Sequence, residues 1–316
     1  MPQIAKQYVD IPMTNYSIEL GSFNLIADTL FPNIPVQKRT GIYYEYSKDD
    51  LDVSGTDVRA PGASAEVMDY DLTTHTYGPL VDHSLKMKIP IENQENAMDP
   101  LDPFRDATRK LTRRAKMYKE ADAASKLSDT SKVTQYSTPS ALWSDFLTGG
   151  ASSTPINDFS TAFDTLAKAT QHPRQDLTVV LSYPVYTVLI QHPDVIERFK
   201  YSQAAIITPE MLANLLQVKE VLVGYAVKKT NVDGTTPDTT DYLWGKNAWV
   251  MYRETSPSLY SISGAYTLNM PQVFGPYVMK RWYDTDKESD YMRISYYYQQ
   301  FIMAPQAIYF FQNVVS

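Results

Sequence analysis

The chain has 316 residues, 43% of them hydrophobic, no cysteine, and a formal net charge of -7. That length suits one large domain or two modest ones, with enough apolar material for a sizeable core. The missing cysteines exclude disulfides, thiolate metal sites and a cysteine nucleophile, and the acidic balance argues against a dedicated nucleic-acid binder.

The N-terminus, MPQIAKQYVD, lacks the apolar run of a signal peptide. No stretch approaches the ~20 apolar residues of a membrane span. The expected setting is therefore the cytosol, or a particle assembled there. Tyrosine is in excess, 24 residues against 11 phenylalanines; a large ring with a polar tip suits broad, partly wet contact surfaces.

Residues 1–40 read as an extended arm. Pro2, Pro12, Pro32 and Pro35 interrupt any long helix, and Asn24 to Leu30 suits one short turn. The isolated apolar residues Ile18, Leu20, Phe23, Leu25, Ile26 and Phe31 suggest a strap lying across another surface rather than an independent core. Residues 41–90 read as a long two-stranded excursion. Ile42, Tyr44 and Tyr46 alternate in the outgoing limb, and Val81, His83, Leu85, Met87 and Ile89 in the returning limb. Its tip, with Gly55, Pro61 and Gly62, carries no helical period. The excursion is acidic: Glu45, Asp49, Asp50, Asp52, Asp57, Glu66, Asp69 and Asp71 stand against Lys48 and Arg59. A hairpin this long is marginal by itself in water and should rest on something.

From Asp99 to about Lys126 runs the longest uninterrupted helical pattern. Asp102 suits the N-cap and Pro103 the first helical position. Phe104, Thr108, Leu111, Ala115 and Tyr118 form one thin stripe, and the rod is about 35 Å long at 1.5 Å per residue. Its flanks are basic: Arg105, Arg109, Lys110, Arg113, Arg114, Lys116 and Lys119 against Asp106 and Glu120. One face should dock on its own domain while the rest looks to water or to something acidic.

Residues 128–157, rich in Ser, Thr, Gly and Pro, read as a linker or flexible loop. From Asp158 the texture is αβ. Asp158 caps a helix with the stripe Phe159, Phe163, Leu166 and Ala167; LTVVLS (177–182) is a buried strand; Ser182 and Pro184 open a second helix ending before His192; Asp194 to Lys200 adds a turn or two. Thr208-Pro209-Glu210 starts a helix through Leu216. EVLVGYAVKK (220–229) reads as a strand with Val221, Val223, Tyr225 and Val227 on one face, then comes an exposed loop over 230–241, and YLWGKNAWVMY (242–252) is a strand pair or bent strand. Val278 to Tyr283 should pair with Tyr291 to Phe301 across the polar turn Asp284–Asp290, and Ala307 to Phe311 should close the same sheet. The chain leaves one domain, builds a second, and returns.

This order, with the stretches NLIADTLFPNIPVQKRTGIYYEY (24–46), RAPGASAE (59–66), DPFRDATRKL (102–111), HPDVIERFKYSQAAIITPEMLANLLQVKEVLVGYAV (192–227) and LWGKNAWVMY (243–252), resembles the major capsid proteins of tailed phages with the Hong Kong 97-type fold. The likeness covers nearly the whole chain. It implies an α+β fold with residues 1–40 as N-terminal arm, 41–90 as extended loop, 91–157 as peripheral domain with its spine helix, 158–270 as axial domain, and 271–316 as the return β sheet of the peripheral domain. It implies a non-enzymatic subunit that assembles with itself into hexamers and pentamers of an icosahedral phage head around double-stranded DNA. The arm and loop would contact neighbouring subunits. Separate scaffold, portal and decoration proteins are further partners under this resemblance, and the packaged DNA would be touched without sequence preference; no membrane is involved. The sequence starts at the arm, so a scaffold is expected as a separate protein or a segment already removed. An encapsulin-like nanocompartment shell enclosing a cargo enzyme is the alternative on the same fold.

The opposite charges of loop and rod suggest that one subunit's loop (Asp49, Asp50, Asp52, Arg59, Glu66, Asp69, Asp71) lies over the next subunit's helix (Arg105, Arg109, Arg113, Lys116). A solvated flank and a phosphate-facing surface are the other readings of the basic face. His75, His83, His172 and His192 lack metal-ligand spacing, so no metal or cofactor is expected. No G-x-S-x-G elbow, P-loop or dinucleotide fingerprint is present to support a soluble αβ hydrolase or transferase. The loop acids read as solvated charge, Tyr296–Tyr298 as sheet core and interface, and no motif marks a partner for a Lys48 isopeptide bond.

Overall fold

The computed structural model describes residues 24–46, 58, 61–62, 64, 72–97, 101–148, 153–199, 207–231, 239–254, 263–270 and 277–316. In chain order come helix α1 (Ala27–Leu30), strand β1 (Asn33–Pro35), and a ribbon of β2 (Gly41–Tyr46) and β3 (Leu72–Tyr77). Next are β4 (Val81–Pro90), α2 (Ile91–Glu95), α3 (Pro103–Leu127) and β5 (Gln135–Ser137). An α/β stretch contains α4 (Pro155–Thr170), β6 (Leu177–Ser182), α5 (Tyr183–Leu189), α6 (Pro193–Phe199), α7 (Pro209–Leu216) and β7 (Glu220–Gly224). The small strands β8 (Val227–Lys229) and β9 (Thr240–Tyr242) pair with each other. The chain ends through β10 (Ala248–Tyr252), β11 (Ala265–Asn269), β12 (Val278–Asp284), β13 (Ser289–Ile302) and β14 (Ile308–Phe311).

Two five-stranded sheets organise the molecule. The first runs β5-β14-β10-β6-β7. Every residue of β6, β10 and β14 is buried, as expected of strands covered on both faces. On one face Val179, Leu181, Val250 and Phe311 meet Phe159, Leu166, Val185 and Leu212 of the surrounding helices. On the other, Val180, Trp249, Met251 and Phe310 meet α1 and the last turns of α3. The second sheet is built around β13. Tyr298 lies opposite both Val81 of β4 and Asn269 of β11, so these two strands take opposite edges. Beyond β11 lies β1. The expected hairpin of residues 278–283 with 291–301 is present as β12 and β13, with Val278 opposite Ser295 and Asp284 opposite Ser289.

α3 links the two cores. Asp102 caps it, accepting from the Phe104 and Arg105 N–H groups at 2.9 and 3.2 Å, and Pro103 opens it. Its first half packs Leu111 and Ala115 on Ile294, Tyr296 and Tyr298 of β13. Its second half packs Ala123, Ala124 and Leu127 into the core of the first sheet. From Leu111 to Ala123 is 12 residues, about 3.3 turns, so the buried face has moved around the helix by about 120°. The expected stripe therefore holds only in the first half: Tyr118, its last member, is 47% exposed.

Several expectations change. The strand of residues 81–89 is not the return limb of the ribbon; that limb is β3, with Gly41 opposite Tyr77 and Tyr46 opposite Leu72. β4 instead pairs with β13 throughout, because period-two alternation identifies a strand without naming its partner. Residues 307–311 do not close the second sheet: β14 lies between β5 and β10 in the first, where alternate residues feed both cores. The linker region 128–157 contains the fully buried Val133 and Trp143. Asp158 is not an N-cap; α4 begins at Pro155 after Thr154, and the Asp158 carboxylate accepts from Trp143 Nε1 at 2.7 Å. The strand over 220–229 breaks after Gly224, where the Trp244 ring presses on the backbone and a Cβ has no room; Tyr225 is exposed.

Candidate assembly surfaces

The arm's base is held by its own subunit. Ile26, Ala27, Leu30 and Phe31 are buried against α3 and the first sheet, so over these residues the surface crossed is the chain's own; Ile18, Leu20 and Phe23 lie outside the described residues. Glu120 is fully buried. It accepts from the N–H groups of Ile26 (3.1 Å) and Ala27 (2.7 Å) and from Trp244 Nε1 (2.9 Å). Burial pushes its carboxyl up, against the pull of those three donors. One residue earlier, Lys119 pairs with Asp28 and donates to Asn33 Oδ1 at 2.9 Å. Burial opposes ionising Asp28, yet the bonded ammonium holds its carboxyl below the usual range. Arg253 pairs with Glu220 and donates from Nη1 to the Thr29 carbonyl at 3.0 Å. Sequence reasoning placed Lys119 and Glu120 on the basic flank and overlooked Arg253. The positions of Lys119 and Glu120 on α3, one turn before Ala123 and Ala124 on the newly buried side, were the available signal for those two.

The ribbon is the opposite case. β2 and β3 pair only with each other among the described residues. Tyr43 stacks on His75 with centroids 5.2 Å apart, while Ile42 and Tyr44 stand exposed on the other side. Its base is pinned: the Leu80 N–H donates to the Arg39 carbonyl at 2.9 Å, and Arg39 Nη2 returns a bond to the Leu80 carbonyl at 3.0 Å. Gly78 has φ +104 there, and a Cβ on it would run into the Arg39 carbonyl.

Of the candidate contact residues, Asp49, Asp50, Asp52, Arg59, Glu66, Asp69 and Asp71 lie outside the described residues. Arg105, Arg109 and Lys116 are exposed and Arg113 is half-buried. Spacings of four, four and three place all four on one face of α3, away from Leu111 and Ala115. Lys116 sits close enough to Asp28 to favour its ionised form. The structure thus brings the four cations together and describes none of their proposed acidic partners.

A buried Ser153–His192 pair looks at first like part of a hydrolytic site. Ser153 Oγ lies 2.9 Å from His192 Nε2. But Nδ1 accepts the Asp194 N–H at 3.2 Å, which leaves the neutral ring's proton on Nε2, facing the serine. That tautomer cannot take a proton from Ser153, and the ring instead closes the start of α6. Burial holds the His192 pKa down, with Asp194 opposing. Among the described residues no group of three or more His, Cys, Asp or Glu converges on a common point, and no helix is long and apolar enough to cross a membrane.

No protein-family model matches the chain. It is 25% identical over 258 residues to the major capsid protein of Burkholderia phage BcepMu, covering 77% of this chain and 76% of that one. It is 22% identical over 314 residues to the major capsid protein of Pseudomonas phage JBD67, covering 98% and 97%. Among solved structures, a phage-related protein from Bordetella bronchiseptica RB50 superposes with a TM-score of 0.70 at 22% identity, over 97% of both chains. The capsid structure of the cyanophage P-SCSP1u gives 0.63 at 10% identity, over 93% of this chain and 89% of that one.

Proposed function

We propose, from the premise that the chain is a tailed-phage major capsid protein of the Hong Kong 97-type fold, that the subunit is completed by its neighbours in the shell of the virion. Residues 24–40 belong to the base of the arm, β2 and β3 to the extended loop, α3 to the spine, and the first sheet with its helices to the axial domain. Hexamers and pentamers of this unit close an icosahedral head around double-stranded DNA. The acidic loop of one subunit lies over the Arg105–Lys116 face of the next.

The carrying observation is the ribbon: two strands with no covering layer among the described residues and with Ile42 59% and Tyr44 54% exposed. Such a ribbon is not stable alone in water, and repeated heterologous contacts give it a partner at every subunit. Negative-stain microscopy of the purified chain tests this. Closed shells of uniform size are expected, with nuclease-protected DNA in particles recovered from infected cells. A protein that stays monomeric at micromolar concentration refutes the proposal, and shells holding a protein cargo in place of DNA favour the nanocompartment alternative.

A further inference from the structure

We propose that the face of the second sheet turned away from α3 binds a phosphoryl anion, held by Lys280, Arg293 and Lys86. α3 packs on Ile294, Tyr296 and Tyr298 of β13, so the odd-numbered residues of that stretch point to the other side. Arg293 lies directly opposite Lys280 of β12 and Lys86 of β4. Residues paired in this way share one face, with Cβ atoms about 5 Å apart. Three cations therefore stand in register across three neighbouring strands, within reach of one point. The site is complete within a single subunit and does not depend on the shell reading above.

Such a row is costly by itself. Like charges directly opposite one another destabilise a sheet, and Arg293 meets one on each side. Among the described residues no carboxylate pairs with any of the three. The acids that these strands carry on this face are Asp82, opposite Tyr297, and Asp284, opposite Ser289. Each is four residues along from the row, about 13 Å. The lysines rest on carbon instead: the Lys86 ammonium lies 5.6 Å from the centroid of the Tyr291 ring, and that of Lys287 5.9 Å. Two buried polar atoms on the same face have no partner, Arg293 Nε and Ser295 Oγ. Ser295 is only 8% exposed, so water does not stand in freely for that partner.

The donor set selects the anion. A carboxylate offers two oxygens and one charge. A phosphoryl group offers three strong acceptor oxygens and about 1.5 to 2 negative charges at neutral pH. That matches one guanidinium fork, two ammonium groups and a hydroxyl. Bound there, it would turn two like-charge contacts into three attractive ones and give Arg293 Nε and Ser295 Oγ an acceptor. The group has two sources, free inorganic phosphate and the phosphates of a nucleic acid, which bind cationic surfaces without sequence preference.

Isothermal titration of the full-length protein at constant ionic strength tests this with two probes, inorganic phosphate and a short DNA duplex lacking terminal phosphates. Arg293→Gln, Lys86→Gln and Lys280→Gln should each weaken the binding of phosphate at least about tenfold. Lys110→Gln, the same charge change at an exposed position of α3, should leave it unchanged. In chloride alone, Lys86→Gln should raise the urea midpoint by removing a like charge. Stability and affinity then move in opposite directions, which a lysine with a merely structural role would not produce. Duplex binding that the same three variants weaken traces the group to a nucleic acid; phosphate binding without duplex binding traces it to the free anion. Should the half-buried Arg293 position not tolerate glutamine, the two exposed lysines decide. Binding of neither probe, equal weakening by Lys110→Gln, displacement of phosphate by an equal concentration of acetate, or a lowered urea midpoint for Lys86→Gln overturns the inference, and each leaves the capsid reading standing.

Discussion

Replacing Glu120 probes the junction of arm, helix and first sheet. Its carboxylate satisfies three buried donors, the N–H groups of Ile26 and Ala27 and the indole of Trp244. Glu120→Ala strands all three, at about 1–3 kcal/mol for each buried group left unpaired. Removing a buried carboxylate returns part of that cost, so the net loss should be about 3 kcal/mol. Glu120→Gln keeps the shape but turns an amide N–H₂ toward at least one N–H donor, and should lose about 1–2 kcal/mol. Urea unfolding of unassembled subunits, followed by tryptophan fluorescence, gives both values; hydrogen exchange at Ile26 and Ala27 shows whether the arm's base has loosened. The pH dependence carries a sign. Burial raises this carboxyl above its usual range, so its contribution to stability is fully present below the unfolded pKa and is lost as pH rises through the folded one. The gap between parent and Glu120→Gln should therefore vary with pH above about 4.5. An alanine variant within about 0.5 kcal/mol of the parent would show that Glu120 holds nothing together.

Leu127→Ala should cost about 2–5 kcal/mol as a buried large-to-small change, whereas Tyr118→Ala should stay within about 1 kcal/mol; equal losses in urea melts would contradict the turning of the buried face along α3. Gly78→Ala meets both a positive φ and the Arg39 carbonyl and should cost about 2–3 kcal/mol, against about 1 kcal/mol for Gly62→Ala, which has a positive φ but open space around it; similar midpoints for the two would remove the steric account. Burial lowers the His192 pKa, so the ring's contribution is present above the unfolded value near 6.5 and is lost as pH falls through the folded one. His192→Gln should flatten the fall in unfolding midpoint between pH 7.5 and 5, and an unchanged slope would assign that fall elsewhere. Arg109→Glu with Arg113→Glu should abolish shell formation in sedimentation while leaving the circular dichroism of the subunit unchanged; normal yields of shells would remove the loop-over-helix contact.

How much of this was legible in the sequence varies with the length scale of the cause. Caps and local periodicity are written within a few residues, so α3, α7, β6 and the β12–β13 hairpin stand where the pattern placed them. Pairing between distant strands is not: the alternation of β4 marks a strand without naming β13 as its partner, and the ribbon limb β3, Leu-Thr-Thr-His-Thr-Tyr, carries no apolar alternation at all. Composition misled at Trp143, a single fully buried ring in a Ser- and Thr-rich stretch. At the candidate surface, the cations of α3 were visible as a run. Lys119 and Glu120 were hidden within it, because a helix serving two cores buries charged positions that a single stripe leaves outside.

That division of α3 bears on where the subunit can give. The helix runs 25 residues without glycine or internal proline, and sharp bends in helices arise at such residues or at insertions. Its two ends are embedded in different cores, so displacing one sheet against the other means straining the helix or unpacking Leu111 and Ala115 at one end or Ala123 and Leu127 at the other. Lys119 fastens the arm's base to α3, and Arg253 fastens it to the end of β10. Under the proposed function, any adjustment between positions in a shell therefore falls on the described part that neither core holds, the ribbon beyond the Arg39–Leu80 pin.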